Sequence, residues 1–291
     1  MRGTSQHRVA LSLALAVLAP LFGCAATRDF AAPEQRITDG TAYTLTHRQM
    51  RVNAGLVGVG TADMGVNVGL AYGVGDWIEF GVNLAHAGVG LLNVTTKVNL
   101  VDQPLWGLGL QLQARWLHGS WMWILPADTR EQLADVDYVD LPLSVIASFP
   151  LFRWMGLHLQ FGYSHSEVFG NVQGNDAALD GRAGTREVFL EPVIRFYLWE
   201  RLALTFGTHL PLYARAAVRA AAEDQLEPDL IVGVNSALWR DVPFNVLASY
   251  YGGIELQFGK YTFMQIYAVH GLINEAISSP VLPSLNFYWR F

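Results

Sequence analysis

Between Leu105 and Leu117 the chain reads L-W-G-L-G-L-Q-L-Q-A-R-W-L, apolar at every second position. Trp106, Leu108, Leu110, Leu112, Ala114 and Trp116 form one set, and Gly107, Gly109, Gln111, Gln113 and Arg115 form the other. A period of two predicts a β-strand with two chemically different faces. Trp106 and Trp116 stand ten residues apart, roughly 33 Å along a strand at about 3.3 Å per residue. Tilted by about 40–45°, that length projects to roughly 25 Å, the height of the apolar band on a membrane barrel. An indole suits each water–lipid boundary, because its ring is buried while its N–H stays wet.

The alternation recurs from residue 50 onward. Met50, Val52, Ala54 and Leu56 oppose Arg51, Asn53 and Gly55. Met64, Val66, Val68, Leu70, Tyr72 and Val74 oppose Asp63, Gly65, Asn67, Gly69, Ala71 and Gly73. Ile78, Phe80, Val82 and Leu84 oppose Glu79, Gly81 and Asn83, and Leu92, Val94, Val98 and Leu100 oppose Asn93, Thr95, Lys97 and Asn99. Similar segments lie near 137–149, 154–164, 186–198, 202–210, 229–239, 244–258, 261–270 and 282–291. One apolar face per strand, repeated, predicts an all-β fold: a closed antiparallel transmembrane β-barrel of about 12–14 strands over residues 42–291. The range depends on whether 244–258 is one strand or a hairpin. Pro142 and Pro192 fall inside predicted strands, where each deletes a ladder hydrogen bond.

Gly73–Asp76, Val101–Pro104, Pro150–Arg153, Trp199–Arg201 and Arg240–Pro243 read as short turns, whereas 118–136, 165–185, 211–228 and 271–281 read as long loops. Tight turns on one side and extended loops on the other are the habit of such barrels. Trp77, Trp106, Trp154, Trp199, Trp239 and Trp289 sit beside the short turns, and Trp116, Trp121 and Trp123 cluster at the opposite edge, so the tryptophans are expected to form two interfacial belts.

Composition agrees with that picture. Of 291 residues 52% are hydrophobic and only 15% charged, against about a quarter charged in a soluble domain. After the first 22 residues no run approaches the roughly 20 apolar residues that a spanning helix needs. The net charge of −6 suggests no nucleic-acid partner, and a lone cysteine excludes an internal disulfide and an all-cysteine metal site.

Leu285, Phe287, Trp289 and Phe291 alternate with Asn286, Tyr288 and Arg290 to the last residue. This resembles the terminal signal by which bacterial outer-membrane barrels are recognised for assembly, with Phe287, Trp289 and Phe291 as its residues. With the body of the chain, the resemblance is to outer-membrane β-barrel proteins as a class. It implies the Gram-negative outer membrane, a periplasmic N-terminus, and outer-membrane lipid and the barrel-assembly machinery as partners.

At the other end, Arg2 and Arg8 precede the apolar run Val9–Phe22, the layout of a secretory signal over residues 1–23. Leu21-Phe22-Gly23-Cys24 resembles the lipobox of bacterial lipoproteins, which implies lipidation at Cys24. The alternative is an ordinary signal cut near Ala25 or Ala26. On the lipobox reading residues 24–41 are a lipidated N-terminus and linker; the polar, non-periodic stretch 25–41 could also be a short lumen insert or plug.

The inward face is expected to hold Asp63, Asn67, Glu79, Asn83, Lys97, Gln111, Gln113, Arg115, His158, Gln160, Glu187, Glu191, Arg195, His209, Glu255 and Gln257. The ordinary role of such a set is to solvate a lumen. A sharper one is a constriction that sorts solutes, with Glu79, Lys97, Arg115, Glu191 and Arg195 as filter residues. Ser164-His165-Ser166-Glu167 has the residue types of a barrel-wall lipid hydrolase, but period two sends His165 away from both serines. There is no G-x-S-x-G turn and no G-x-x-x-x-G-K-[ST] phosphate loop. The expected function is therefore a porin-like passive channel for a small solute, without catalytic residues, cofactor or metal. A plugged structural or partner-binding barrel stands second, and a lipid hydrolase third.

Overall fold

The structure, a computed structural model, describes residues 37–56, 66–152, 154–173, 177–199, 201–224, 231–234, 240–242, 248–259, 262–270 and 282–291. Among them lie fifteen strand segments: β1 (Met50–Leu56), β2 (Val66–Val74), β3 (Ile78–Asn83), β4 (Leu91–Gln103), β5 (Trp106–His118), β6 (Asp135–Asp140), β7 (Leu143–Phe152), β8 (Met155–Gln173), β9 (Ala177–Trp199), β10 (Leu202–Asp224), β11 (Ile231–Val234), β12 (Arg240–Asp241), β13 (Ser249–Gln257), β14 (Thr262–His270) and β15 (Leu282–Arg290). Two short helices, α1 (Leu84–Gly88) and α2 (Ala127–Gln132), cap the long-loop end.

Every pairing is antiparallel, and β1 bonds to both β2 and β15, so the sheet closes on itself. Two wall positions are composite. β6 and β7 both bridge β5 and β8, and β11, β12 and β13 succeed one another along β10. The result is a closed antiparallel transmembrane barrel of twelve strands. Merging of short segments, rather than a hairpin at 244–258, gives the even number.

Both prolines are accommodated where a donor is dispensable. Leu141 and Pro142 separate β6 from β7; the Pro142 carbonyl still accepts from the Gln113 N–H at 2.9 Å, and the Leu141 N–H donates to the His165 carbonyl at 2.9 Å. Pro192 keeps its register with Leu159 of β8, while the β9–β10 ladder skips Glu191 and Pro192. The missing N–H of Pro192 therefore falls on one seam only.

Alternation governs what each face touches. Along β5, Gly107, Gly109, Gln113 and Arg115 are buried, while Trp106, Leu112 and Trp116 are exposed on the outside. A cation on that outer face at mid-height would cost about 2–4 kcal/mol in a bilayer; Lys97 and Arg115 avoid this cost by facing inward. Aromatic residues stand at both rims. Trp77, Trp106, Trp199 and Phe152 are exposed at the short-turn end, where Trp154 stacks on Phe152 (5.2 Å) and Phe196 (6.0 Å). Trp289 stacks on Phe287 at 6.1 Å, and at the far rim Trp116 meets Trp121 edge-on at 4.7 Å. Trp239 and Cys24 lie outside the described residues.

Three expectations about connections are corrected. Much of 165–185 and 211–228 is strand, because β8, β9 and β10 run for 19, 23 and 23 residues. Stretch 118–136 carries a 3-10 turn at Gly119–Trp121, α2 and the start of β6. Arg240–Pro243 is not a short turn: Arg240 and Asp241 pair with Ala216 and Arg215 far up β10.

Candidate functional site

The lower half of the lumen, towards the short turns, is filled by the chain itself. Residues 37–49 form no strand; Ile37, Thr38, Thr41, Ala42, Tyr43 and Leu45 are all buried inside the barrel. Asp39 and Gly40 make a tight turn at its tip, with Gly40 in the left-handed region at φ +64°. An Asp-Gly pair is a strong local turn signal, and it was the one feature of this stretch visible in the sequence. The Thr41 hydroxyl donates to the Ile37 carbonyl at 2.7 Å, which closes the turn.

The wall receives this plug through side chains. The Ala42 N–H donates to Ser148 Oγ at 2.9 Å, and the Leu45 N–H to Glu79 Oε2 at 3.0 Å. Lys97 Nζ donates to the carbonyls of Thr38, Thr41 (3.3 Å) and Tyr43 (3.0 Å), using all three of its protons. Arg51 reaches Thr38 Oγ1 at 2.9 Å and Glu79 Oε1 at 3.1 Å, and Arg195 Nη2 donates to the Asp39 carbonyl at 3.2 Å. Ile37 packs in one apolar cluster with Phe263 and Tyr288, whose rings stack at 4.6 Å.

Glycines on the wall make the space. A Cβ at Gly109 would lie 2.6 Å from the Ala42 carbonyl oxygen, and one at Gly107 would lie 2.7 Å from the Tyr43 ring. These two glycines, in sequence only small residues of the inward set, are the floor on which the plug lies.

Above the plug is a cavity of about 420 Å³. Asp39 and Gly40 form part of its lining, together with wall residues Arg115, Asp140, Glu187, Glu191 and His209. One arc of hydrogen bonds runs round the wall: Gln113 Nε2 donates to Asn93 Oδ1 (3.2 Å), Arg115 to Gln113 Oε1 (2.9 Å) and to Asp140 Oδ2 (3.2 Å). Ser164 and Ser166 donate to Asp140 Oδ1 at 3.3 and 2.7 Å. On the adjoining strands β9 and β10 His209 Nε2 lies 2.8 Å from Glu187 and its Nδ1 3.8 Å from Glu191, while the Tyr251 hydroxyl donates to Glu191 at 3.3 Å.

The five nominated filter residues thus separate by level. Glu79, Lys97 and Arg195 grip the plug; Arg115 and Glu191 line the cavity, which Arg195 also borders. Arg51, part-buried, and Arg290, buried, both on the lumen side, lie outside the set that alternation nominated, though each stands at an inward position of its strand. Asp63 and Asn67 have no described side chains. Ser164 and Ser166 face Asp140, while His165 lies on the other face, its Nε2 3.5 Å from Glu167. His158 bonds Ser148 at 2.8 Å, away from His209.

No family model matches the sequence, and no curated protein matches it. Among solved structures, the CymD monoaromatic hydrocarbon channel is similar with a TM-score of 0.43 and 11% identity over 92% of this chain and 94% of its own. The ferric citrate transporter FecA gives 0.36 and 9%, over 84% of this chain, which spans only 41% of FecA. The outer-membrane protease OmpT of Escherichia coli gives 0.35 and 8%, over 86% and 97%. The likeness is one of barrel architecture.

Proposed function

We propose that this protein is a passive outer-membrane channel for a small solute, closed at its periplasmic end by residues 37–49. The observation that carries the reading is the two-storey lumen: a polar cavity of about 420 Å³ whose floor is chain, not wall. A cavity floored by the Asp39–Gly40 turn can be continued into a pore by a shift of one segment, whereas a lumen packed with wall side chains cannot. The long ends of β8, β9 and β10 face outward from the cell, and the N-terminus is periplasmic. Thirteen residue steps lead from Cys24 to Ile37, a reach of up to about 45 Å. A lipid on Cys24 in the inner leaflet would therefore tether the plug at the end where it enters.

The test is single-channel recording of the refolded protein in a planar bilayer. Conductance steps whose ion selectivity changes on Arg115→Ala or Glu191→Ala support the channel. An inserted but silent barrel moves the assignment to a plugged barrel that binds partners through its outer strands.

A further inference from the structure

Three cations from three separate strands meet on two residues of the plug. Arg51 of β1 and Lys97 of β4 both bond to Thr38, and Arg195 of β9 bonds to Asp39. Arg290 of β15 is buried beside them, its guanidinium 5.7 Å from the Phe263 ring and within electrostatic reach of Arg51. Among the described residues, Glu79 and Glu255, both buried, are wall carboxylates that act on Arg290 at this level. Glu79 is shared by Arg51 and the Leu45 N–H, and Glu255 takes the Gln265 amide at 3.1 Å.

The plug supplies the balance, and it does so with oxygen atoms. Carbonyls of Thr38, Thr41 and Tyr43 converge on Lys97, the Asp39 carbonyl lies on Arg195, and the Asp39 carboxylate lies 3.8 Å from Arg51. Buried cations need such acceptors, because an uncompensated charge in a water-poor site is costly. A carbonyl oxygen is the weaker form of the acceptor, however. A carboxylate or phosphate oxygen carries charge and makes hydrogen bonds roughly twice as strong. Asp39 is half-exposed and borders the cavity, so a solute descending from the outer mouth meets this ring first through the tip of the plug.

We propose that Arg51, Lys97, Arg195 and Arg290 form an anion site at the level of the lumen that the plug fills. In the closed barrel residues 38–43 occupy it, and a small carboxylate or phosphate takes their place when the segment shifts. The plug is a built-in competitor for the solute. Higher in the cavity Asp140 is held by Arg115, and Glu187 and Glu191 share His209, so the acids there keep less free charge than the four cations of the ring. The inference rests on the channel reading and adds the class of solute.

The test is reversal potential under a potassium chloride gradient, recorded on the full chain and on the full chain carrying Gly109→Leu, which takes the space of the Ala42 carbonyl. Correct folding of each form is checked by its heat-dependent mobility on a detergent gel. The expected result is chloride preference, a chloride current blocked by added inorganic phosphate, and loss of both on Lys97→Gln and on Arg195→Gln. Two substitutions on different strands guard against one of them failing to fold. Cation preference, or a preference that neither substitution moves, overturns the anion site and leaves the channel standing. No conductance from any folded form removes the channel reading, and the anion site with it.

Discussion

Lys97 and Arg115 stand on neighbouring strands, both buried and both facing the lumen, yet they are satisfied by different means. Arg115 is held by its own wall, through Asp140 at 3.2 Å and Gln113 at 2.9 Å. Lys97 is held by a segment that belongs to no strand, through three carbonyls. The upper lumen is therefore complete without the plug, while the lower lumen is not. A region that closes its own polar network stays as it is when a neighbour leaves. A region that borrows acceptors from a segment outside the sheet is where a change of state takes the least rebuilding. Under the proposed channel reading, this difference puts the gate in the lower half.

The comparison can be broken from the upper side first. Asp140→Asn takes the counter-charge from Arg115 and leaves one acceptor oxygen where the guanidinium and the Ser164 and Ser166 hydroxyls used two. Breaking a buried pair from one side costs about 3 kcal/mol, the lower end of the usual range, because Gln113 remains on the guanidinium. Urea unfolding in detergent micelles should show that loss, with the conductance of the folded fraction unchanged in its gating. A gating change of the same size as the stability loss would mean that the two storeys are coupled.

A smaller effect sharpens the lower side. Gly40 has φ +64° with nothing closer to a Cβ than Arg195 Nη2 at 3.8 Å, so Gly40→Ala adds backbone strain without a clash. At about 1–2 kcal/mol for a left-handed residue, it should raise the open probability while leaving the unfolding midpoint of the barrel nearly fixed. Single-channel dwell times read this directly.

The smallest expected effect lies outside the membrane, on the extended hairpin. Arg182 donates to both carboxylate oxygens of Glu167, one of these bonds measuring 2.8 Å, and this contact holds the Glu167 carboxyl below its usual range. A folded-state value below the unfolded one gives stability that is present above the unfolded value, near pH 4.5, and is lost as the pH falls through the folded one. Arg182 is largely exposed, so water and salt screen most of the gain. Hydrogen exchange of the β8–β9 tip should quicken only below that pH, and Glu167→Gln should abolish the dependence.

How much of this was legible in the sequence follows from where lipid lies. Inside the lipid band one face must be apolar, so alternation placed Glu79, Lys97, Arg115, Glu191 and Arg195 in the lumen, where the structure has them. Beyond the band both faces of a strand are wet, the alternation fades, and the upper parts of β8, β9 and β10 looked like loops. The strand number depended on β6–β7 and β11–β13 sharing wall positions, a tertiary fact that no local pattern encodes. Residues 37–49 carry no period because their partners are not one face of a sheet but side chains from β1, β3, β4, β7 and β9. Gly107 and Gly109 showed only as small residues; what they make room for appears once Ala42 and Tyr43 are in place.

The central claim is that the 37–49 segment, and not the wall, closes the lumen. It is tested most directly by single-channel conductance of the full chain beside the same chain with Gly109→Leu, whose side chain occupies the position of the Ala42 carbonyl. The account predicts rare, brief openings from the unaltered protein and long-lived, larger steps from the variant. Equal records from two correctly folded barrels would contradict it.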